Sequence, residues 1–285
     1  MKQAPAYPSA LSHWDRLTVR LVRTVKRRYR LPVGRRNLGR LMRAWQELVP
    51  FLITPRVWDI HNPAAYGDLS EFGERSWGKG LFEWEQEFLR EYCNKPPGNI
   101  LVTAAGGGRE ALALANLGYT IYALEPSPVL ASICRRAVPP ERLPEVVEMS
   151  HREFTHSRPQ SLAGPFEAVI VGWGSLSHLA TLDEAAALIR ALRGVCPFGP
   201  ILISYIRKIA DTRMRRLCQA PFRILGANRE RFDWAYRLRF ALFRKFDEDQ
   251  IAMLAERAGE EVRILLCDNF QGAAVLVRRH GQSNA

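Results

Sequence analysis

The segment Ile100-Leu101-Val102-Thr103-Ala104-Ala105-Gly106-Gly107-Gly108-Arg109-Glu110 constrains this chain more than any other. A short apolar run goes straight into three glycines and then into residues with helical spacing. Glycine at such a bend lets the backbone turn tightly and lets a ligand lie against bare main chain. The first amides of the helix that follows have no intrahelical acceptor, so they face whatever polar or negative group is brought there. Glu125 stands 19 positions past Gly106, at the end of the next apolar run, where an acid can accept hydrogen bonds from ribose hydroxyls. Strand, glycine bend, helix, strand and acid together predict a βαβ unit that takes a nucleoside or nucleotide.

The same alternation continues along the chain. Apolar runs at 99–104, 119–124, 146–149, 168–172 and 200–206 predict strands, and 108–117, 128–137 and 182–193 predict the intervening helices. Strands joined through helices imply right-handed crossovers and a parallel sheet. Asp247 reads as the N-cap of a helix reaching Ala258, ended by Gly259. Two further strands, 262–267 and 273–278, are joined by too short a turn to hold a crossover, so they must be antiparallel. The fold class expected is α/β: a doubly wound, seven-stranded, mostly parallel sheet with an antiparallel C-terminal strand pair, plus an N-terminal helical extension. The expected division is 1–95 as a basic helical extension or lid and 96–285 as the sheet domain, with a basic aromatic insertion at 207–245. Within the extension, 11–30, 38–48 and 81–92 have helical spacing, whereas 55–80 is rich in Pro, Gly and aromatics and reads as an ordered loop.

Charge is distributed unevenly. Residues 1–60 carry a net +10 and residues 207–245 a net +9, leaving −7 for the remainder of a chain whose total is +12. An acidic core with two basic attachments points to anions outside the core: acidic ligands, an anionic membrane surface or nucleic acid. The five cysteines, Cys93, Cys134, Cys196, Cys218 and Cys267, are scattered and form no metal or disulfide pattern. No signal-peptide-like apolar core follows the N-terminus and no run is long enough to span a bilayer. A cytoplasmic protein, peripheral at the membrane, is expected.

Gly106-x-Gly108-x-x-Ala111 also satisfies a loose dinucleotide fingerprint. The antiparallel final pair and the acid Glu110 beside the place of a pyrophosphate argue against that cofactor, whereas a ligand bearing an amino group tolerates Glu110. With these residues in view, the stretch 101–128, through Ala105-Gly106-Gly107-Gly108-Arg109-Glu110 and Ala123-Leu124-Glu125-Pro126-Ser127-Pro128, resembles the first two motifs of class I S-adenosylmethionine-dependent methyltransferases. The stretch 166–178 resembles that family's fourth strand and acceptor-side loop, and 247–278 its usual ending. The resemblance implies S-adenosyl-L-methionine as cofactor. Ala104, Ala105, Gly106 and Gly108 would pass under its amino-acid part. Glu125 with Pro126 would take the ribose, Ser150 or His151 the adenine, and Gly172 with Trp173 the border between methionine and acceptor. The sequence departs from the family at Val102, where an acid is common, at Ala104, where glycine is common, and at Ser150, where aspartate is common.

Methyl transfer from a sulfonium leaves the protein to position an acceptor and manage one proton. His178, on the loop beyond Gly172, is the candidate general base; its other reading is a cap for the helix starting near 182. His151, Glu153 and His156 lack metal-site spacing, so no metal is expected. The function expected is methylation of a small-molecule acceptor, anionic or membrane-associated. Two alternatives stand beside it. One is methylation of RNA, suggested by Arg residues interleaved with Phe222, Phe232, Trp234, Tyr236, Phe240 and Phe243, though the loop Gly172-Trp173-Gly174-Ser175 lacks the proline of base-amine methyltransferases and disfavours nucleic acid. The other is a non-catalytic cofactor-binding scaffold subunit.

Overall fold

A computed structural model of the chain describes residues 12–29, 35–67, 70–237, 241–268 and 270–278. Five parallel strands form its centre: β1 (Asn99–Thr103), β2 (Thr120–Leu124), β3 (Glu145–Val147), β4 (Ala168–Val171) and β5 (Ile201–Arg207). They lie in the order β3-β2-β1-β4-β5, with Val102 paired to Ala123 on one side and to Ile170 on the other. A hairpin, β6 (Trp234–Tyr236) and β7 (Leu242–Phe246), joins the end of β5 through Ile206 and Lys245. The last two strands, β8 (Glu260–Cys267) and β9 (Gln271–Arg278), are antiparallel to each other, and β9 runs antiparallel to β5 with Ser204 opposite Ala273. The expected mostly parallel sheet with its antiparallel C-terminal pair is therefore present, and the β6–β7 hairpin is an addition that lies inside the basic insertion.

The helices in chain order are α1 (His13–Tyr29), α2 (Arg35–Leu52), α3 (Pro55–Gly67), α4 (Glu83–Tyr92), α5 (Arg109–Asn116), α6 (Pro128–Ala137), α7 (His151–His156), α8 (Leu182–Arg193), α9 (Arg213–Ile224) and α10 (Glu248–Arg257). Period-two alternation in the strands sorts side chains between two core layers. Leu101, Val169, Val171, Ile201 and Ile203 face α7, α8 and α10, meeting Phe154, Leu188, Leu192 and Leu254. Ile100, Val102, Ile170 and Leu202 face α4, α5 and α6, meeting Phe88, Leu114 and Cys134. Each fully buried aliphatic side chain contributes roughly 1.5–3 kcal/mol, so both faces have to be covered. Caps fix the helix starts: Ser127 accepts from Leu130 ahead of α6, and Thr181–Glu184 and Asp247–Gln250 form reciprocal boxes for α8 and α10. Gly259, at φ 73°, ends the chain segment after α10 as expected.

Residues 55–80 depart from the loop expectation. Pro55 starts α3, where its missing N–H is no loss, and Val57, Trp58, His61, Asn62 and Ala65 are buried on one helical face. Proline and aromatic composition concealed that period. The remainder, 70–79, forms two short 3-10 turns. A third small core joins the N-terminal helices to the insertion: Val19, Val22, Val49, Ile53, Val57 and Trp58 pack with Ala180, Trp234, Tyr236 and Leu242. Much of the insertion's charge is internally paired. Arg215 meets Asp211 at 2.7 Å and Glu47 at 2.9 Å, and Arg244 meets Glu230 at 3.1 Å and Asp233 at 3.3 Å.

Candidate functional site

The end of β1, the expected glycine bend, is built by main-chain turns and one acid. Ala104 sits at φ 53° and Gly106 at φ 57°, both left-handed, so the position where the family commonly has glycine needs glycine-like geometry here too. The Glu125 carboxylate spans two turns: Oε2 accepts from the Gly106 amide and Oε1 from the Ser127 amide, each at 2.8 Å. Two of its roughly four acceptor directions remain. Burial lifts this carboxyl to a pKa of about 7 against the pull of those two amides.

A strap from the preceding segment lies across the bend. The Gly107 amide donates to Phe72 O at 2.8 Å, and the Trp77 indole donates to Gly107 O at 2.6 Å. A Cβ at Gly107 would stand 2.7 Å from Phe72 O and 2.8 Å from Gly73 Cα, so this glycine is there for the strap. Gly108, at φ 93°, faces Cys134 and Ala137 of α6 and makes room for helix packing. At the start of α5, buried Arg109 reaches Glu85 through both terminal nitrogens, at 2.6 and 2.8 Å, and Glu110 at 2.6 Å, while its guanidinium lies 4.0 Å from the Phe82 ring centre. Burial, reinforced by the neighbouring Glu110 charge, lifts Glu85 to about 7 in spite of Arg109.

Above the bend opens a cavity of about 980 Å³, measured out to its mouth. Ala104, Ala105, Gly106, Glu125, Pro126, Ser150, His151, Trp173 and His178 line it, together with Gly107 and Glu110. Gly108 and Gly172 do not; a Cβ on Gly172 would come within 3.1 Å of the Thr103 and Ala104 carbonyls, so Gly172 lets the ends of β1 and β4 approach. Ser150 caps α7 in a box with Glu153, and His151 lies 2.9 Å from the Thr103 hydroxyl with its pKa pushed down to about 3 by burial. Glu153 closes that box through the Ser150 amide and His156 Nδ1 meets Arg152 O at 2.7 Å; among the described residues no group of three potential metal ligands is gathered.

No family model matches the chain, and no curated protein matches its sequence. Solved structures do match in fold. A SAM-dependent methyltransferase from Bacteroides fragilis, solved with S-adenosyl-L-homocysteine, superposes with a TM-score of 0.52 at 16% identity, covering 72% of this chain and 81% of that one. A SAM-dependent methyltransferase from Methanosarcina mazei gives 0.53 at 13% identity over 70% and 98%, and a TehB-like one from Corynebacterium glutamicum gives 0.51 at 13% over 76% and 100%. The chain has the class I methyltransferase fold.

In this methyltransferase fold the other end of the cavity comes from outside the sheet. Trp58, Asn62, Pro63 and Tyr66 of α3 face Ser175, His178 and Leu179 of the loop after β4. Asn62 is held by Leu242, donating to its carbonyl at 2.9 Å and accepting from its amide at 3.1 Å; its Nδ2 also lies 3.2 Å from His178 Nδ1. The Leu242 carbonyl is a second partner for the ring. Burial pushes His178 down to about 4, which keeps it neutral at physiological pH, and Tyr66 meets its ring edge-on at 4.9 Å. The sequence did not reveal α3, Asn62 or the strap; the aromatic density of 58–77 was the one available signal. Trp173 closes the rim, flanked by Phe72 and Phe82 with ring centres at 5.2 and 5.4 Å.

Proposed function

We propose that the protein binds S-adenosyl-L-methionine in this cavity and transfers its methyl group to a small-molecule acceptor. The observation that carries the reading is the Glu125 carboxylate, fixed between two amides beside a bare main-chain bend, with acceptor capacity left for a ribose diol. The donor set suits that cofactor. The space above Gly106 is open, since a Cβ there would meet only Phe72 O at 3.4 Å, and Glu110 supplies an acid for an ammonium group. Ala104, Ala105 and Gly106 would carry the amino-acid part, Glu125 and Pro126 the ribose, Ser150 and His151 the adenine, and Trp173 the border with the acceptor. When bound, the cofactor supplies an electrophilic methyl for in-line displacement. The α3 residues Trp58, Asn62 and Tyr66 orient the acceptor, and His178 takes its proton at Nε2 when Nδ1 carries the ring proton and donates to the Leu242 carbonyl.

The N-terminal helices and the 207–245 insertion act in this reading as one lid that selects the acceptor. Among the described residues no Lys or Arg of the lid lines the cavity, and the arginines that do, Arg109 and Arg152, are paired with Glu85, Glu110 and Glu184. The acceptor is accordingly read as uncharged, with aromatic and apolar contacts. An RNA acceptor lacks support, because Phe222 stacks on Phe51 and Trp234, Tyr236 and Phe243 are buried, leaving no platform for bases there; Phe240 lies outside the described residues. Calorimetry with S-adenosylmethionine and S-adenosylhomocysteine, followed by methyl transfer to a panel of uncharged aromatic and lipid-like acceptors, tests the reading. Binding without turnover on any extract fraction leaves a scaffold subunit, and absence of binding removes the proposal.

A further inference from the structure

One helix of the lid is turned inside out, and a second carries an exposed apolar stripe. On α9 the buried face is polar: Arg215 and Gln219 point inward and Arg215 is neutralised by Glu47 and Asp211. Its solvent face carries Met214, Leu217, Ala220, Pro221 and Ile224, continued by Leu225, at the three- and four-residue steps of one helical side. Leu217 is 63%, Ile224 85% and Leu225 80% exposed. Exposed Arg216 and Arg223 flank that stripe, and Arg213 stands at its start. The helix α1 buries Val19 and Val22 in the third core beside Asp15 and Thr18, yet Trp14, Leu17 and Leu21 share a second, exposed apolar side bordered by Arg16 and Arg20. Both helices rest on the last turn of α2, where the Trp14 indole donates to Leu52 O at 2.9 Å and Phe222 stacks on Phe51 at 4.1 Å.

We propose that this face docks on an anionic lipid surface, with Trp14, Leu17, Leu217, Ile224 and Leu225 entering the interface and the flanking arginines on the headgroups. An apolar stripe aimed at water is costly for a soluble helix and rewarded at a bilayer, where it is immersed to a shallow depth. Charge selects the occupant. The two helices lie in the two segments that hold +10 and +9 of the chain's charge, which complements anionic headgroups. Nucleic acid shares the charge but does not reward exposed aliphatics, and Trp234, Tyr236 and Phe243 of the insertion are packed inward. No helix among the described residues is long and apolar enough to cross a membrane, so the contact is interfacial. This inference stands independently of methyl transfer.

Sedimentation of the full chain with vesicles tests it. The protein should pellet with phosphatidylcholine vesicles containing phosphatidylglycerol, fail to pellet with phosphatidylcholine alone, and lose binding as salt rises. The double variant Ile224→Asp/Leu225→Asp should lower partitioning at least about tenfold. Arg213→Gln/Arg216→Gln should do so as well, each cation near such a surface being worth roughly a fivefold factor. All four positions are exposed, so melting temperature and S-adenosylhomocysteine affinity should hold. Equal pelleting with both vesicle types, or variants that pellet like the wild type, overturns the proposal. So does a solution dimer that Ile224→Asp/Leu225→Asp dissociates, since the face is then covered by a second copy. Binding of single-stranded RNA in place of vesicles overturns it too.

Discussion

Replacing Glu125 by Gln separates its binding role from its structural one. The wild-type carboxylate accepts from Gly106 and Ser127 and keeps two directions for a diol. Glutamine has one acceptor oxygen, so it cannot serve both amides and a diol. Hydrogen bonds to a charged acceptor are worth about 1.5–3 kcal/mol each, so losing the pair should cost about 3 kcal/mol, roughly 150-fold in Kd. Stability should move little. A carboxyl raised from 4.5 to about 7 subtracts roughly 3 kcal/mol from stability when ionised. Glutamine removes that cost but leaves one buried amide facing its NH2, a penalty of about 1–3 kcal/mol. The pH window follows from the same shift. Because the folded value lies above the unfolded one, the ionisation penalty is absent below pH 4.5, grows between 4.5 and about 7, and is complete above. A ligand that prefers the ionised carboxylate must expel its proton, so wild-type Kd should rise about tenfold per pH unit below 7, and binding at pH 6 should release close to one proton from this group. Titration calorimetry with S-adenosylhomocysteine in buffers of different ionisation enthalpy measures both. Wild-type affinity in Glu125→Gln, or the same proton release in both proteins at pH 6, refutes the reasoning.

Ala104→Gly should raise stability by about 1 kcal/mol, the left-handed φ of 53° costing alanine more than glycine loses in chain entropy; an unchanged or lowered melting temperature counts against it. Gly107→Ala should lower stability by about 2 kcal/mol, because its Cβ would meet Phe72 O at 2.7 Å and lift the strap, and should open 70–80 to limited proteolysis; a resistant, equally stable variant rules this out. The His178 ring, held at about 4, should not titrate between pH 8 and 5.5 by NMR, and an apparent pKa of 6 or above contradicts the buried, anchored ring.

The sheet domain was legible because its signals are local. The strands β1 to β4 are short apolar runs closed by glycine, proline or a cap, unlike the β6–β7 hairpin with Arg244 and Lys245 inside it, and the Thr181, Ser127 and Asp247 caps lie within three residues of their partners. The glycine bend and Glu125 were legible for the same reason, through a hydrogen bond between residues 19 apart that one βαβ unit always brings together. What stayed hidden depends on distant partners. The strap over Gly107 joins residues 72 and 107, Asn62 meets His178 across 116 positions, and Asn62 is set by Leu242 across 180. No local pattern encodes such pairs. Gly108 and Gly172 read as ligand glycines, yet each leaves room for a neighbouring element, a distinction that only packing draws. In 55–80, the prolines that suggest a loop sit at the start of α3 and at Pro63 within it, while its buried stripe carries His61 and Asn62, which apolar counting passes over.

The charge asymmetry of the sequence acquires a spatial meaning in the fold. The lid segments are basic, yet the cavity beneath them is acidic: Glu110 and Glu125 line it, and Glu85 lies just behind on Arg109. Two of these acids, Glu85 and Glu125, are pushed up to about 7, because burial opposes charge and Glu110 repels both. Such a site holds protons when empty and can give them up to a cation. S-adenosyl-L-methionine would bring a sulfonium and an ammonium, beside its own carboxylate, to three carboxyls and the Arg109 guanidinium, the other lining arginine, Arg152, being paired with Glu184; with the methyl gone the sulfonium is a neutral thioether and part of that attraction is lost. In the proposed reaction the cavity field would favour the methyl donor over its product, and the basic outer face of the same lid is the one proposed to meet a negative surface. Adenosine lacks the ammonium that S-adenosylhomocysteine keeps, so it should bind more weakly, by a ratio that narrows as pH falls below 7 and the carboxyls fill; a ratio independent of pH would locate the selectivity in shape rather than in charge.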